Sequence, residues 1–207
     1  MYVISEIYPF YMKTTSFILS AILLISGASA IQAQETSHLK FKQVEIHGNS
    51  AQFLSRLEDE GFIVTGEKGD EVLSGIFAGQ KVQVSIEKTS ISGIVYQVLA
   101  MLDARSKWNM VEEDYLTFKT NLIKKYGDPD ICKERFVSPY RKGDGYEKKA
   151  MESGKVEYLS CWIVPEGEIT IQIVAVRTDL ALLIRYVDAE GMRLQEKEKS
   201  EIILRDL

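Results

Sequence analysis

Lys81-Val82-Gln83-Val84-Ser85-Ile86-Glu87 alternates apolar and polar residues at every step. Successive side chains of an extended strand point to opposite faces. Val82, Val84 and Ile86 therefore share one face, and Lys81, Gln83, Ser85 and Glu87 the other. Gly79-Gln80 before the run and Ser92-Gly93 after it are turn dipeptides. Beyond those turns lie two further runs of strand character, Val72 to Phe77 and Ile94 to Met101. Three strands joined by tight turns predict an antiparallel meander.

Helical spacing takes over on both sides of this meander. Upstream, a brief strand is expected around Phe41, Val44 and Ile46. Gly48-Asn49 ends it, and Asn49 followed by Gln52 predicts a capped helix from Ser50 to about Glu60, with Phe53, Leu54 and Leu57 on one face and Gly61 at its end. Downstream, Trp108, Val111, Tyr115, Phe118, Leu122 and Tyr126 step by three or four residues and line one stripe. Ser106 is the expected N-cap of this second helix, and Gly127-Asp128-Pro129 stops it. Its charge order, Glu112 to Asp114 early and Lys124-Lys125 late, suits the helix dipole.

Three more strands are expected at Val156 to Val164, Ile169 to Val176 and Ala181 to Val187. A charged C-terminal helix from Met192 to Leu207 should rest on the domain through Ile202, Ile203 and Leu207. A helix followed by a meander thus occurs twice. The expectation is an α+β fold of two helix-then-antiparallel-meander pseudo-repeats, residues 34–105 and 106–207, forming a sheet with helices packed on it, plus the C-terminal helix.

Residues 12–33 have a different character. Lys13 precedes the apolar stretch Phe17 to Ile25, which ends in the small residues Gly27-Ala28-Ser29-Ala30. This is the layout of a secretory signal peptide, and the apolar run is well short of the roughly 20 residues a spanning helix needs. A signal peptide over residues 1–33 is expected, with translation beginning at Met1 or Met12 and cleavage after Ala30 or Ala33. No cysteine lies nearby to take a lipid, so the expected product is periplasmic or secreted, with no stable membrane span.

The chain has 25 Lys and Arg against 30 Asp and Glu, a net charge of −5. That balance argues against nucleic acid as the partner, since phosphate binding rests on a basic surface. Export also delivers Cys132 and Cys161, the two cysteines present, to an oxidising compartment where an even count predicts a bridge. Such a disulfide would close a loop of roughly 30 residues and stabilise by about 3–4 kcal/mol in the loop-entropy model. The alternative is two buried thiols.

Catalytic patterns are scarce. His38 and His47 have no partners at ligand spacing, so no metal is expected. No nucleophile elbow or phosphate-cradling loop occurs, and no cofactor is implied. The acidic clusters Glu58-Asp59-Glu60 and Glu112-Glu113-Asp114 fall on the expected solvent faces of helices, whereas general-acid work needs a carboxyl in an apolar pocket. The most distinctive stretch runs from Lys133 to Lys149. It holds six bases, Lys133, Arg135, Arg141, Lys142, Lys148 and Lys149, against three acids, together with Phe136, Tyr140 and Tyr146. It reads as part of a long loop from Lys133 to Gly154, mobile or recruited to bind an envelope protein or an anionic ligand.

The order of a Trp-led helix at Trp108 to Tyr115, then Lys125-Tyr126-Gly127-Asp128-Pro129, then Cys132 and a strand bearing Cys161, resembles small uncharacterised exported proteins of gram-negative gut anaerobes. The resemblance spans most of residues 34–207 and implies no activity for any residue. In outline, the repeated helix-plus-meander is similar to the tandem domains of the beta-lactamase-inhibitor protein and of small outer-membrane assembly lipoproteins, a likeness of architecture only. The functional expectation is a non-catalytic binding or envelope-interaction module. The alternative is an exported hydrolase with a carboxylate-based site.

Overall fold

The computed structural model describes residues 37–66 and 71–207. The expected export signal lies outside the described residues. The fold is α+β. A two-stranded ribbon, β1 (Lys40–Phe41) and β2 (Val44–Glu45), leads into α1 (Ser50–Asp59). Then come β3 (Ile63–Val64), β4 (Val72–Phe77), β5 (Gln80–Lys88) and β6 (Val95–Leu102). After α2 (Trp108–Tyr126) the chain adds β7 (Ile131–Phe136), α3 (Glu147–Glu152), β8 (Val156–Val164), β9 (Gly167–Val176), β10 (Asp179–Asp188) and α4 (Ala189–Asp206).

Eight strands form one antiparallel sheet in the order β3-β4-β5-β6-β10-β9-β8-β7. The seam between β6 and β10 sets Leu183 opposite Met101 and Val187 opposite Gln97. Registers carry the period-two pattern across all the long strands. Val84, Ala100, Ile184, Ile171 and Ser160 follow one another in a single cross-strand row on one face. This face is the core. Against it α2 lays Val111, Tyr115, Phe118 and Leu122, all buried, each side chain of that size contributing about 1.5–3 kcal/mol by leaving water. Phe41 of the ribbon stacks on Phe77 at 4.7 Å and meets Tyr186 edge-on at 5.5 Å. Trp162 donates its indole N–H to the Gly127 carbonyl at 2.9 Å, tying the end of α2 to β8.

The opposite face is chemically mixed. Ser85, Leu99, Arg185, Thr170 and Cys161 make one of its rows. There Arg185 pairs with Glu168, which also accepts from the Thr170 hydroxyl at 2.8 Å. Ser85 is buried with its hydroxyl unpartnered.

Most of the expected elements form. Asn49 caps α1, accepting from the Gln52 amide at 3.0 Å. Gly61 follows its end at φ +87°, where Phe62 N–H returns to Leu57 O at 3.0 Å. Four expectations are corrected. Ser106 does not cap α2: Lys107 holds that position in an extended conformation without a side-chain bond, and Arg105, two residues before it, is held in a backbone bridge with Leu180. The stretch from Lys133 to Gly154 is not a structureless loop, for β7 and α3 occupy much of it. Sequence pattern misses β7 because it is an edge strand, polar on both faces.

The third correction concerns the cysteines, which are free thiols, Cys132 exposed and Cys161 buried. Cys132 stands opposite Ser160, and Cys161 opposite Ile131. The one-residue offset sends their side chains to opposite faces of the sheet, where no disulfide geometry can be met. Burial, with Glu168 nearby, pushes the Cys161 thiol up to about 11.

The fourth correction is to the C-terminal helix. It begins at Ala189, capped by Asp188, which accepts from Gly191 N–H at 2.8 Å. It docks by buried polar residues, not by its apolar end. Gln195 Oε1 accepts from Ser90 N–H at 2.8 Å, and Glu198 accepts from Ile91 N–H at 2.5 Å and from the Ser92 hydroxyl at 2.5 Å. Ile203 and Leu207 are 59% and 96% exposed and so hold nothing down.

Two outcomes are expected. Gly167 has φ +154°, and a Cβ there would sit 1.9 Å from the Val187 carbonyl oxygen. Gly167→Ala should lower stability by about 1–3 kcal/mol in a denaturant titration. Desolvation opposes ionisation of Glu198, but the Ser92 hydroxyl and the Ile91 and Ser92 amides outweigh it and hold the carboxyl below the usual glutamate range. A lowered folded value means that its stabilisation is complete above the unfolded value of about 4.3 and is lost as pH falls through the lower folded one. Glu198→Gln should therefore be less stable than the parent at neutral pH, and the gap should narrow on acidification in thermal melts.

Candidate functional site

Ten residues, 137–146, join β7 to α3, and their conformation is fixed by two carboxylates. Asp144 accepts from the Arg141 and Tyr146 amides, both at 2.8 Å, and these bonds hold its carboxyl below the usual aspartate range. Glu147, in the first turn of α3, accepts from Gly143 N–H at 2.7 Å. At the far end Ala150 and Met151 are buried in the core and anchor α3. At the near end Phe136 meets Trp108 and Tyr158 edge-on at 5.4 and 6.0 Å.

The eight expected partner-binding residues are distributed unevenly over this frame. Lys133 and Arg135 point from β7 to the mixed face, and both approach Glu157, at 4.0 and 2.5 Å. Lys142 reaches Glu112 at 2.7 Å, and Lys148 reaches Asp179 at 3.6 Å. Tyr140 is half-buried against the core. That leaves Arg141 and Lys149, whose side chains have no ion pair among the described residues, and Tyr146, 61% exposed. The segment is therefore not a continuous basic patch. Four of its six cations are matched by local carboxylates, and a narrow group of Arg141, Tyr146 and Lys149 remains available.

The acidic cluster of α2 needs correction as well. Glu112 and Asp114 are not on a freely solvated face: each is only 13% exposed. Glu112 accepts from Tyr158 OH at 3.0 Å, and Asp114 pairs with Arg105 at 2.9 Å. Burial, then the bond to Glu112, pushes the Tyr158 hydroxyl up. These carboxylates hold the helix to the sheet and the loop to the helix.

Two further groupings escape a reading of the sequence. His38 and His47 stack at 4.1 Å, and His38 Nδ1 lies 3.1 Å from Asp188. Beside His47 an open cleft of about 700 Å³ runs over α1, lined by Gly48, Ala51, Gln52, Ser55 and Arg56. Arg56 is engaged there in donating to the His47 carbonyl at 2.6 Å. Among the described residues no three His, Cys, Asp or Glu side chains are arranged to hold a metal ion.

The second grouping lies between α2, β7 and β8. Tyr115 OH lies 2.7 Å from Ser160 Oγ and donates to Glu134 at 3.1 Å, while Lys119 Nζ reaches Glu134 at 2.5 Å and Cys132 Sγ at 3.2 Å. Burial raises the Tyr115 hydroxyl strongly, against the opposing bond from Ser160. The spacing of Tyr115 and Lys119 on one helix face is readable from sequence. Their meeting with Cys132 and Glu134 requires knowing that β7 is a strand.

No protein-family model matches the chain, and neither a curated protein nor a solved structure matches it. Among the described residues, no helix is long and apolar enough to cross a membrane.

Asp144→Ala should release the 137–146 connection. Limited trypsin digestion should then cut after Arg141 or Lys142 several-fold faster than in the parent chain, with an unchanged far-UV circular dichroism spectrum.

Proposed function

We propose that the chain is an exported, non-catalytic binding module that uses the segment 133–149 to engage an envelope protein or an anionic ligand. The observation that carries this reading is the pinned connection. Asp144 and Glu147 fix its backbone, yet Tyr146, Arg141 and Lys149 stay exposed, and neither cation enters a close ion pair among the described residues. A recognition group held in place before contact loses little entropy on binding. Tyr and Arg are also the side chains that most often dominate binding energy.

Export rests on the pattern of residues 12–33, with its short apolar run and small-residue exit. The reading also keeps the likeness to small exported proteins of gram-negative gut anaerobes. It treats residues 34–105 and 106–207 as two helix-plus-meander pseudo-repeats, a view supported by the strand order. That order runs β3 to β6 and then β10 back to β7, with α1 ahead of one run and α2 ahead of the other.

The experiment is retention of the exported chain on immobilised envelope fractions and on an array of anionic glycans. The triple variant Arg141→Ser, Tyr146→Ser, Lys149→Ser should lose at least about tenfold in retention, the scale of a hot-spot cluster. Equal retention of parent and variant would remove the segment as the site. Absence of a processed chain beginning after Ala30 or Ala33 in a gram-negative host would remove the export reading.

A further inference from the structure

We infer that the mixed face of the sheet is a docking surface for the chain's own apolar segment, residues 17–25, so that an unprocessed chain covers a patch that processing would bare. The inference uses the composition of that segment and does not depend on the binding role of residues 133–149.

Met101, Val174, Val176 and Ala181 form a small apolar cluster, with Ala104 and Leu183 packed at its margin. Registers place it on the mixed face. Val174 stands opposite Ala181, and Leu183 opposite Met101, in the same parity as Thr170 and Arg185. The four are at most 4% exposed. Side chains standing off a sheet meet water unless a second layer lies over them, and among the described residues no helix contributes to this cluster. α1, α2 and α3 send Phe53, Leu57, Tyr115, Phe118, Ala150 and Met151 to the core face. α4 is engaged at the opposite end of β6, where Gln195 and Glu198 hold Ser90, Ile91 and Ser92.

Two oxygens indicate the chemistry of the cover. Gln83 Oε1 and Ser85 Oγ, on the same face, are buried without a hydrogen-bond partner, and Gln83 stands directly opposite Met101. A polar layer would offer them donors. An apolar layer shuts water out and offers none.

Of the chain outside the described residues, 67–70 reads Glu-Lys-Gly-Asp, too charged to form such a layer. Residues 17–25 read Phe-Ile-Leu-Ser-Ala-Ile-Leu-Leu-Ile, the most apolar stretch of 1–36, with one hydroxyl and no charge. Their tether reaches the cluster. Asp188, at the end of β10, holds the Leu39 amide, and Ala181 precedes Asp188 by seven residues, about 23 Å at strand rise. Residues 26–38 can span up to about 43 Å when extended. Cleavage after Ala30 or Ala33 would remove the cover and open Met101, Val174, Val176 and Ala181 to solvent.

The full chain is made in a membrane-free extract, so that residues 1–36 are retained, with a benzophenone side chain introduced at position 22. Illumination should bond it, within one chain, to mixed-face residues of the tryptic peptides 89–105, 156–177 or 178–185, mapped by mass spectrometry. Leu19→Glu combined with Leu23→Glu should lower that yield about tenfold, since two leucines lose their burial. The same pair should raise the fluorescence of an apolar-surface dye at an unchanged far-UV circular dichroism spectrum. Bonds mapped only to the core face, or to no part of the sheet, would overturn the inference. So would bonds joining two chains, which assign the face to a second copy, or equal dye binding in the parent and the double variant. If the double variant loses its circular dichroism signal, the bonds formed in the otherwise unaltered chain decide.

Discussion

The pairing of β6 with β10 is the constraint on which the other elements depend. It joins strands that are far apart in sequence, so loop closure opposes it until many contacts form together. Once Leu183 faces Met101 and Val187 faces Gln97, two four-stranded halves become one sheet, and every side chain of eight strands is assigned to a face. β6 is buried along its whole length because of this central position. The core face then presents one continuous apolar floor to α2 and to the ribbon. Neither half would bury as much alone.

Polar groups fasten what the apolar floor cannot. Asp188, only 1% exposed, accepts from the amides of Leu39 and Gly191 and sits beside His38. One carboxylate therefore holds the start of the described chain, the end of β10 and the first turn of α4. Tyr96 is the extra residue where β6 slips past β5 at Glu87 and Lys88. It donates to Glu87 at 2.5 Å, and its Cβ lies so near Gly191 that a side chain there would collide at 2.6 Å. The bulge and the glycine together set how closely α4 approaches the sheet.

The sequence discloses these elements unevenly, and the reason is where each one hides its apolar atoms. Val82, Val84 and Ile86 alternate because one of their faces is core, and the stripe from Trp108 to Leu122 repeats at helical spacing because α2 has one buried side. β7 carries Lys133, Glu134 and Arg135 through the positions that would reveal it, since an edge strand has little to bury. α4 is similar, for it docks through Gln195 and Glu198, residue types that ordinarily signal a solvated face. The disulfide expectation failed on register, a one-residue matter that composition does not encode. As to the candidate site, the sequence marks Arg141, Tyr146 and Lys149 as unusual in an acidic chain. It does not reveal that Glu157, Glu112 and Asp179 have taken the neighbouring cations.

The charges on β7 have a meaning for assembly. Two copies that met edge to edge in an antiparallel manner would be related by a two-fold axis normal to the sheet, which keeps each side chain on its own face. Residues can then oppose only partners of the same parity. Centring the axis on residue 133 sets two ammonium groups against each other, on 134 two carboxylates, and on 135 two guanidinium groups. Like charges directly opposite are repelled. In these three registers the longer open edge of the sheet disfavours pairing with a second copy of itself.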